Sequence, residues 1–234
     1  MTLKPRFPPR LLLGLSRAMI RGTVRSFAAD MVMLEGALPR RPIVEGVEHL
    51  PTSGAVVLVV NHYQRPGLWI GWAGAAITCV VHRERGGDPP VRWTVVADSR
   101  HGGYVLPGSA WIFGGIARAW SMVPMPTARS GVHGRAAAMR QLRTLVRAGE
   151  IVGIFPEGAG GRAGVPGDAL PGVGRWLRHQ AESGAVVVPI AVAERDGTLA
   201  VRLGLPLSPS EAEDPMPFVR HLYTQLLEPI SNSG

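Results

Sequence analysis

Apolar runs of strand length alternate along this chain with longer segments of helical spacing. Ala55 to Val60, Trp93 to Ala97, Ile151 to Phe155 and Val186 to Val192 are near-continuous apolar stretches bounded by turn residues. Such runs read as strands buried on both faces. Leu68 to Val81 and Tyr104 to Ala119 are apolar at helical length. Gly131 to Ala148 places Met139, Leu142, Leu145 and Val146 on one side and arginines on the other, and Gly149 supplies a helix-terminal glycine. Gly172 to Ser183 and Pro217 to Leu227 read as further helices, Ile43 to Gly46 and Ser121 to Met125 as short extended pieces, and Leu199 to Leu203 as an edge strand. Pro189 cannot donate to a sheet ladder, so it implies an edge or a strand end. This alternation predicts an α/β fold with a mainly parallel central sheet flanked by helices. In such sheets sites form where strand carboxyl ends lead into loops.

The first 41 residues depart from that pattern. Arg10 to Leu34 reads as one long amphipathic helix in which Arg10, Arg17, Arg21 and Arg25 fall within about 80° of one another at 100° per residue, with Leu12, Leu15 and Met19 on the other side. Residues 1–41 hold eight basic and two acidic residues, an excess of six out of the chain's net +8. A locally basic segment suits a polyanion. No aromatic stacking pattern or zinc motif accompanies the charges, which argues against nucleic acid. The segment instead suits an anionic membrane surface, each arginine contributing about 1 kcal/mol near it; the alternative is an N-terminal helix that packs its apolar face on the protein and solvates its arginines. The expected division is therefore 1–41 as a basic membrane-interface helix and linker, and 42–234 as the α/β domain.

Composition narrows the class further. At 46% hydrophobic and 18% charged the 234 residues can bury a core, which excludes a disordered chain. The single cysteine, Cys79, excludes a disulfide framework and points to a reducing cytosolic setting. No apolar stretch reaches the ~18–20 residues of a spanning helix, so the expected location is the cytoplasmic face of the cell membrane, held peripherally or monotopically.

Three strand-end loops carry candidate chemistry. Asn61-His62-Tyr63-Gln64-Arg65-Pro66-Gly67 follows the Ala55–Val60 strand, where a histidine with an ordinary pKa of about 6.5 can serve as general base and Arg65 can hold a phosphate. Phe155-Pro156-Glu157-Gly158-Ala159-Gly160-Gly161-Arg162 leaves backbone N–H groups free to surround an anion, without the Gly-Lys-Ser/Thr ending of a nucleotide loop. Val186-Val187-Val188-Pro189-Ile190 is the third.

In this order and spacing the loops resemble the lysophosphatidic acid and glycerol-phosphate acyltransferase family. Val44-Glu45-Gly46-Val47-Glu48-His49-Leu50-Pro51 resembles the stretch leading into that family's first motif, and Pro171-Gly172-Val173-Gly174 the helix start between its third and fourth. The resemblance covers about residues 42–205. It implies transfer of a fatty acyl group from acyl-CoA or acyl carrier protein to a glycerol-phosphate or lysophospholipid-type acceptor, with no bound cofactor. It assigns His62 as the base, and Asn61, Arg65, Arg129, Glu157, Gly158 and Arg162 to substrate binding. The family pairs its histidine with an aspartate five residues on, but Gly67 stands there. Asp98, which also reads as a helix cap, and a backbone carbonyl are the candidates to orient the imidazole instead. Gly160 and Thr127 occupy positions where the family has arginines, with Arg162 and Arg129 each two residues late. A non-catalytic member binding lipid or acyl-thioester is the alternative.

Overall fold

The computed structural model of the chain describes residues 3–86, 90–97, 100–101, 104–105, 107–126, 132–158 and 165–228. Among these, a seven-stranded sheet runs in the order β1-β9-β8-β2-β7-β3-β6. The strands are β1 (Ile43–Glu45), β2 (Val56–Val60), β3 (Val91–Val96), β6 (Val123–Met125), β7 (Ile151–Ile154), β8 (Val186–Arg195) and β9 (Thr198–Leu203). Every neighbouring pair is parallel except β8 and β9, which form an antiparallel hairpin through Asp196 and Gly197. The α/β expectation holds, and β2 lies at the centre of the sheet.

Period-two alternation survives inside the continuous apolar runs. Val56, Leu58 and Val60 pack into one core cluster, while Val57 and Val59 pack into another. The first cluster draws on α1 (Pro9–Arg21), α2 (Phe27–Glu35) and α3 (Gly71–Glu84). The second draws on α5 (Val132–Arg147), α6 (Val173–Glu182), the short α7 (Pro209–Ala212) and α8 (Met216–Leu227). All five β2 side chains are buried, so alternation sorts them between two helical layers rather than between core and water.

Four expectations need correction. Arg10 to Leu34 is two helices, because Gly22 adopts a left-handed φ of 67° that closes α1, and Ser26 opens α2 by accepting the Ala29 N–H at 3.3 Å. The faces differ accordingly: Leu11, Leu15 and Ala18 are buried, but Leu12 is 48% exposed. Second, the stretch from Tyr104 is not helical throughout. Tyr104–Val105 pairs with Arg100–His101 as β5 and β4, and α4 (Ser109–Ala119) starts only after Pro107 and Gly108, the latter at φ 76°.

Third, β9 is not an edge, since the short β1 pairs along its outer side. Fourth, Pro189 lies inside β8, between β2 and β9. The Val186 N–H faces β2, donating to Ala55 O, so alternation turns the nitrogen of Pro189 toward β9. There one bond follows the Ile190–Leu203 pair, Gly204 N–H donating to Pro189 O at 2.8 Å, and only the reciprocal bond, which proline cannot donate, is left out.

Residues 3–38 are integral to this architecture. Leu3, Leu11, Leu15, Met31 and Leu34 are buried in the same cluster as the sheet. Arg25 makes a two-pronged ion pair with Asp30, both contacts 2.6 Å, and Asp30 also accepts the Trp120 indole N–H at 2.8 Å. One arginine of the basic face is thereby consumed in packing, while Arg10, Arg17 and Arg21 stay exposed.

Candidate active site

Two adjacent central strands, β2 and β7, end side by side and carry the first two candidate loops. Consecutive residues of an extended chain point to opposite faces, and Asn61 and His62 divide accordingly. Asn61 is fully buried. Its amide donates to Val192 O at 3.0 Å and its oxygen accepts the Val192 N–H at 2.7 Å, which fastens the end of β2 to β8. It acts as a strut.

His62 is half-buried and belongs to the other side. Its backbone N–H donates to Glu157 Oε1 at 2.8 Å, and Glu157 Oε2 accepts the Gly167 N–H at 2.8 Å. Glu157 is itself buried. Both carboxylate oxygens thus receive backbone donors, so the glutamate ties the two loops together. Gly158 turns the chain at φ 68°, and a Cβ there would lie 2.4 Å from Leu170 Cδ1. That position needs glycine for its conformation and for close approach.

The His62 ring meets Phe155 edge-on, with centroids 5.4 Å apart and planes at 68°. Its Nδ1 is buried without a hydrogen-bond partner among the described residues. Burial pushes the imidazole pKa below its ordinary 6.5, against a weaker opposing contribution from its own backbone. A carboxylate partner would act in the opposite direction. With its pKa below 6.5 the ring is neutral at physiological pH, the form able to accept a proton.

Arg65 points elsewhere than the sequence suggested. Its guanidinium pairs with Glu194, with Nε 2.8 Å from Oε2, and also donates to Leu3 O at 2.6 Å. Glu194 in turn accepts the Leu3 N–H at 2.7 Å. This arginine pins the N-terminal segment onto the loop, and its charge is balanced there. Gly67 sits at φ 83° in the tight turn between Arg65 and Leu68, and the atom nearest a Cβ there would be Arg65 Nη1, at 3.9 Å. Asp98, Arg129 and Arg162 lie outside the described residues.

Several participants carried no signal in the local sequence. Glu194 lies 129 residues from Arg65, and the Gly167 N–H lies in a loop with no motif. Arg220 of α8 steadies that loop by donating to Gly167 O at 2.9 Å and pairing with Asp168. The Phe155 ring, by contrast, lies within the Phe155–Arg162 loop that the sequence singled out. Among the described residues no group of three or more His, Cys, Asp or Glu could hold a metal ion.

The central strand of a mainly parallel α/β sheet thus brings a neutral imidazole beside a glycine-containing turn, at the strand ends where such sheets form sites. The chain belongs to the acyltransferase family: residues 41–193 match the family described as Acyltransferase. Among solved structures it is similar to the 1-acyl-sn-glycerophosphate (LPA) acyltransferase PlsC from Thermotoga maritima. The identity is 15% and the TM-score 0.53, over 91% of this chain and 79% of that one. That likeness bears on the fold. No curated protein matches the sequence.

Proposed function

We propose that this chain transfers a fatty acyl group from acyl-CoA or acyl carrier protein to a glycerol-phosphate or lysophospholipid-type hydroxyl at a membrane surface, with His62 as general base. The observation that carries the proposal is the 2.8 Å bond from the His62 N–H to Glu157, which joins the two motif loops directly. The imidazole takes the proton of the acceptor hydroxyl as its oxygen attacks the thioester carbonyl carbon. The tetrahedral intermediate collapses, the C–S bond breaks, and the thiol leaves with that proton. Glu157, spent on two backbone donors, orders the site rather than meeting the acceptor phosphate. Arg129 and Arg162 are the arginines assigned to that phosphate.

Membrane contact is supported by the surface of α1. Leu13 and Ile20 are 68% and 75% exposed, beside the exposed Arg10, Arg17 and Arg21. α1 packs on α4, where Gly115 leaves room for Met19 and where Trp111 and Ile112 are exposed. Among the described residues no helix is long and apolar enough to cross a membrane. An apolar stripe flanked by arginines fits a helix lying in the interface.

The direct test is acyl transfer from labelled acyl-CoA and acyl carrier protein to both acceptor types, with anionic and neutral vesicles. Transfer lost in a folded His62→Gln variant supports the proposal; undiminished turnover refutes His62 as base. The unpartnered Nδ1 favours one second reading, a member that binds lipid or acyl-thioester without reacting. Saturable lysophospholipid binding with no transfer from either donor would establish it.

A further inference from the structure

The family's aspartate position is a glycine, and the turn at Gly67 aims its missing side chain at Arg65. Some other feature must hold the imidazole if His62 reacts. The ring's described neighbours supply one. Phe155 lies edge-on to it at 5.4 Å and is itself stacked on Trp93, with centroids 5.2 Å apart and planes 19° from parallel. Trp93 is anchored in the core, 1% exposed, with its indole N–H donated to Thr78 Oγ1 at 2.9 Å. Thr78 in turn donates to Gly74 O at 2.6 Å within α3. Beneath the indole, β7 carries Gly153, where a Cβ would sit 2.4 Å from Trp93 Cε3. That glycine lets the stack lie flat against the strand that presents Phe155.

We propose that Phe155 and Trp93 are positioning residues that take over the orienting task of the absent carboxylate, holding the His62 ring by aromatic packing while Glu157 holds its backbone. The proposal rests on His62 being the base. Residues 155 and 157, two apart at the end of β7, grip the same histidine at ring and main chain. Aromatic pairs favour such edge-to-face and offset-stacked arrangements. The division of labour differs from a histidine–carboxylate pair in one measurable respect. A carboxylate fixes the ring and also stabilises its protonated form, whereas a buried aromatic wall fixes the ring and excludes water. The charged groups of the surrounding elements do not oppose this. Glu157 faces two backbone N–H groups, and Arg65 and Glu194 face each other.

The test uses the full chain with isotope-labelled histidine, the His62 signals being assigned by their loss in His62→Gln. In the wild type we expect cross-relaxation between the His62 and Phe155 rings and a His62 titration midpoint below 6.5. Phe155→Leu moves that midpoint toward 6.5 and lowers kcat roughly ten- to a hundredfold with little change in KM, the scale of a displaced catalytic group. Phe155→Tyr, which keeps the ring, restores both. Should Phe155→Leu fail to fold, Trp93→Phe takes its place and is expected to move both quantities in the same direction, by less. The proposal is overturned by absent ring-to-ring cross-relaxation in the wild type, or by a folded Phe155→Leu with unchanged titration and kcat. Undiminished turnover in His62→Gln would instead remove the base assignment, and the NMR measurements would still judge the packing.

Discussion

Two polar clusters meet at the end of β2 and are built to opposite rules. On one side Asn61, Arg65 and Glu194 have their donors and acceptors matched: Asn61 to Val192, Arg65 to Glu194 and Leu3. On the other side His62 is packed against Phe155 with a buried ring nitrogen left unpartnered among the described residues. A satisfied buried network rigidifies the fold, while an unsatisfied buried group costs stability and calls for a reason. The loop Asn61–Gly67 therefore divides residue by residue into matched scaffold and an unmatched ring, which the proposed function makes the tool.

The largest expected effect separates tool from scaffold. His62→Ala lowers acyl transfer by about 100- to 10,000-fold, the usual worth of a general base, and leaves the unfolding midpoint close to wild type. Asn61→Ala does the reverse. It orphans the buried N–H and C=O of Val192 at about 1–3 kcal/mol each, read as a lowered urea midpoint. If the histidine variant unfolds and the asparagine variant does not, the division is wrong.

Glu157→Gln belongs to both sides. It replaces an acceptor pair by one oxygen and one NH2 group facing a backbone N–H. A stability loss of about 1–3 kcal/mol, together with a fall in kcat, is expected from denaturation and steady-state assays.

A smaller effect lies in pH. The folded His62 pKa is depressed, so the unfolded chain binds the proton first as pH falls through the ordinary 6.5. Stability from this group is present above that value and is lost as pH drops from there toward the folded pKa. The neutral base likewise survives further into acid, so the acid limb of kcat/KM lies below 6.5. His62→Gln removes the corresponding slope of stability against pH; an unchanged slope would contradict the burial.

The smallest effect is expected at Gly67→Asp. Its φ of 83° disfavours a side chain by about 1–2 kcal/mol, and its nearest neighbour is Arg65, not the imidazole. Turnover should stay within about twofold of wild type. A large gain would show that the turn can bring a carboxylate to His62 and would weaken the case for the aromatic support.

Much of the frame was legible because burial on both faces leaves a strong mark. β2, β7 and β8 appear in the sequence as valine- and isoleucine-rich runs, and Gly149 closes α5 at φ 83° as a helix-terminal glycine should. Legibility failed where a local rule has more than one spatial solution. Pro189 reads as an edge signal, yet a proline fits inside a sheet at the last bond of a ladder, where it only accepts. The arginine face of residues 10–25 reads as one surface, yet the break at Gly22 sends Arg25 into Asp30.

The sequence by itself determined the alternation of strands and helices, the strand-end place of His62 and Glu157, the family, and the absence of the usual aspartate, since each is written in spacing or residue type over short stretches. Tertiary structure alone decided that Arg65 is bound to Glu194, that Glu157 grips the His62 main chain, and that Phe155 and Trp93 stack behind the imidazole. Those pairings join residues tens to more than a hundred positions apart. Such distances are closed only by the register of β2 against β7 and β8 and of β3 against β7, which no local pattern encodes.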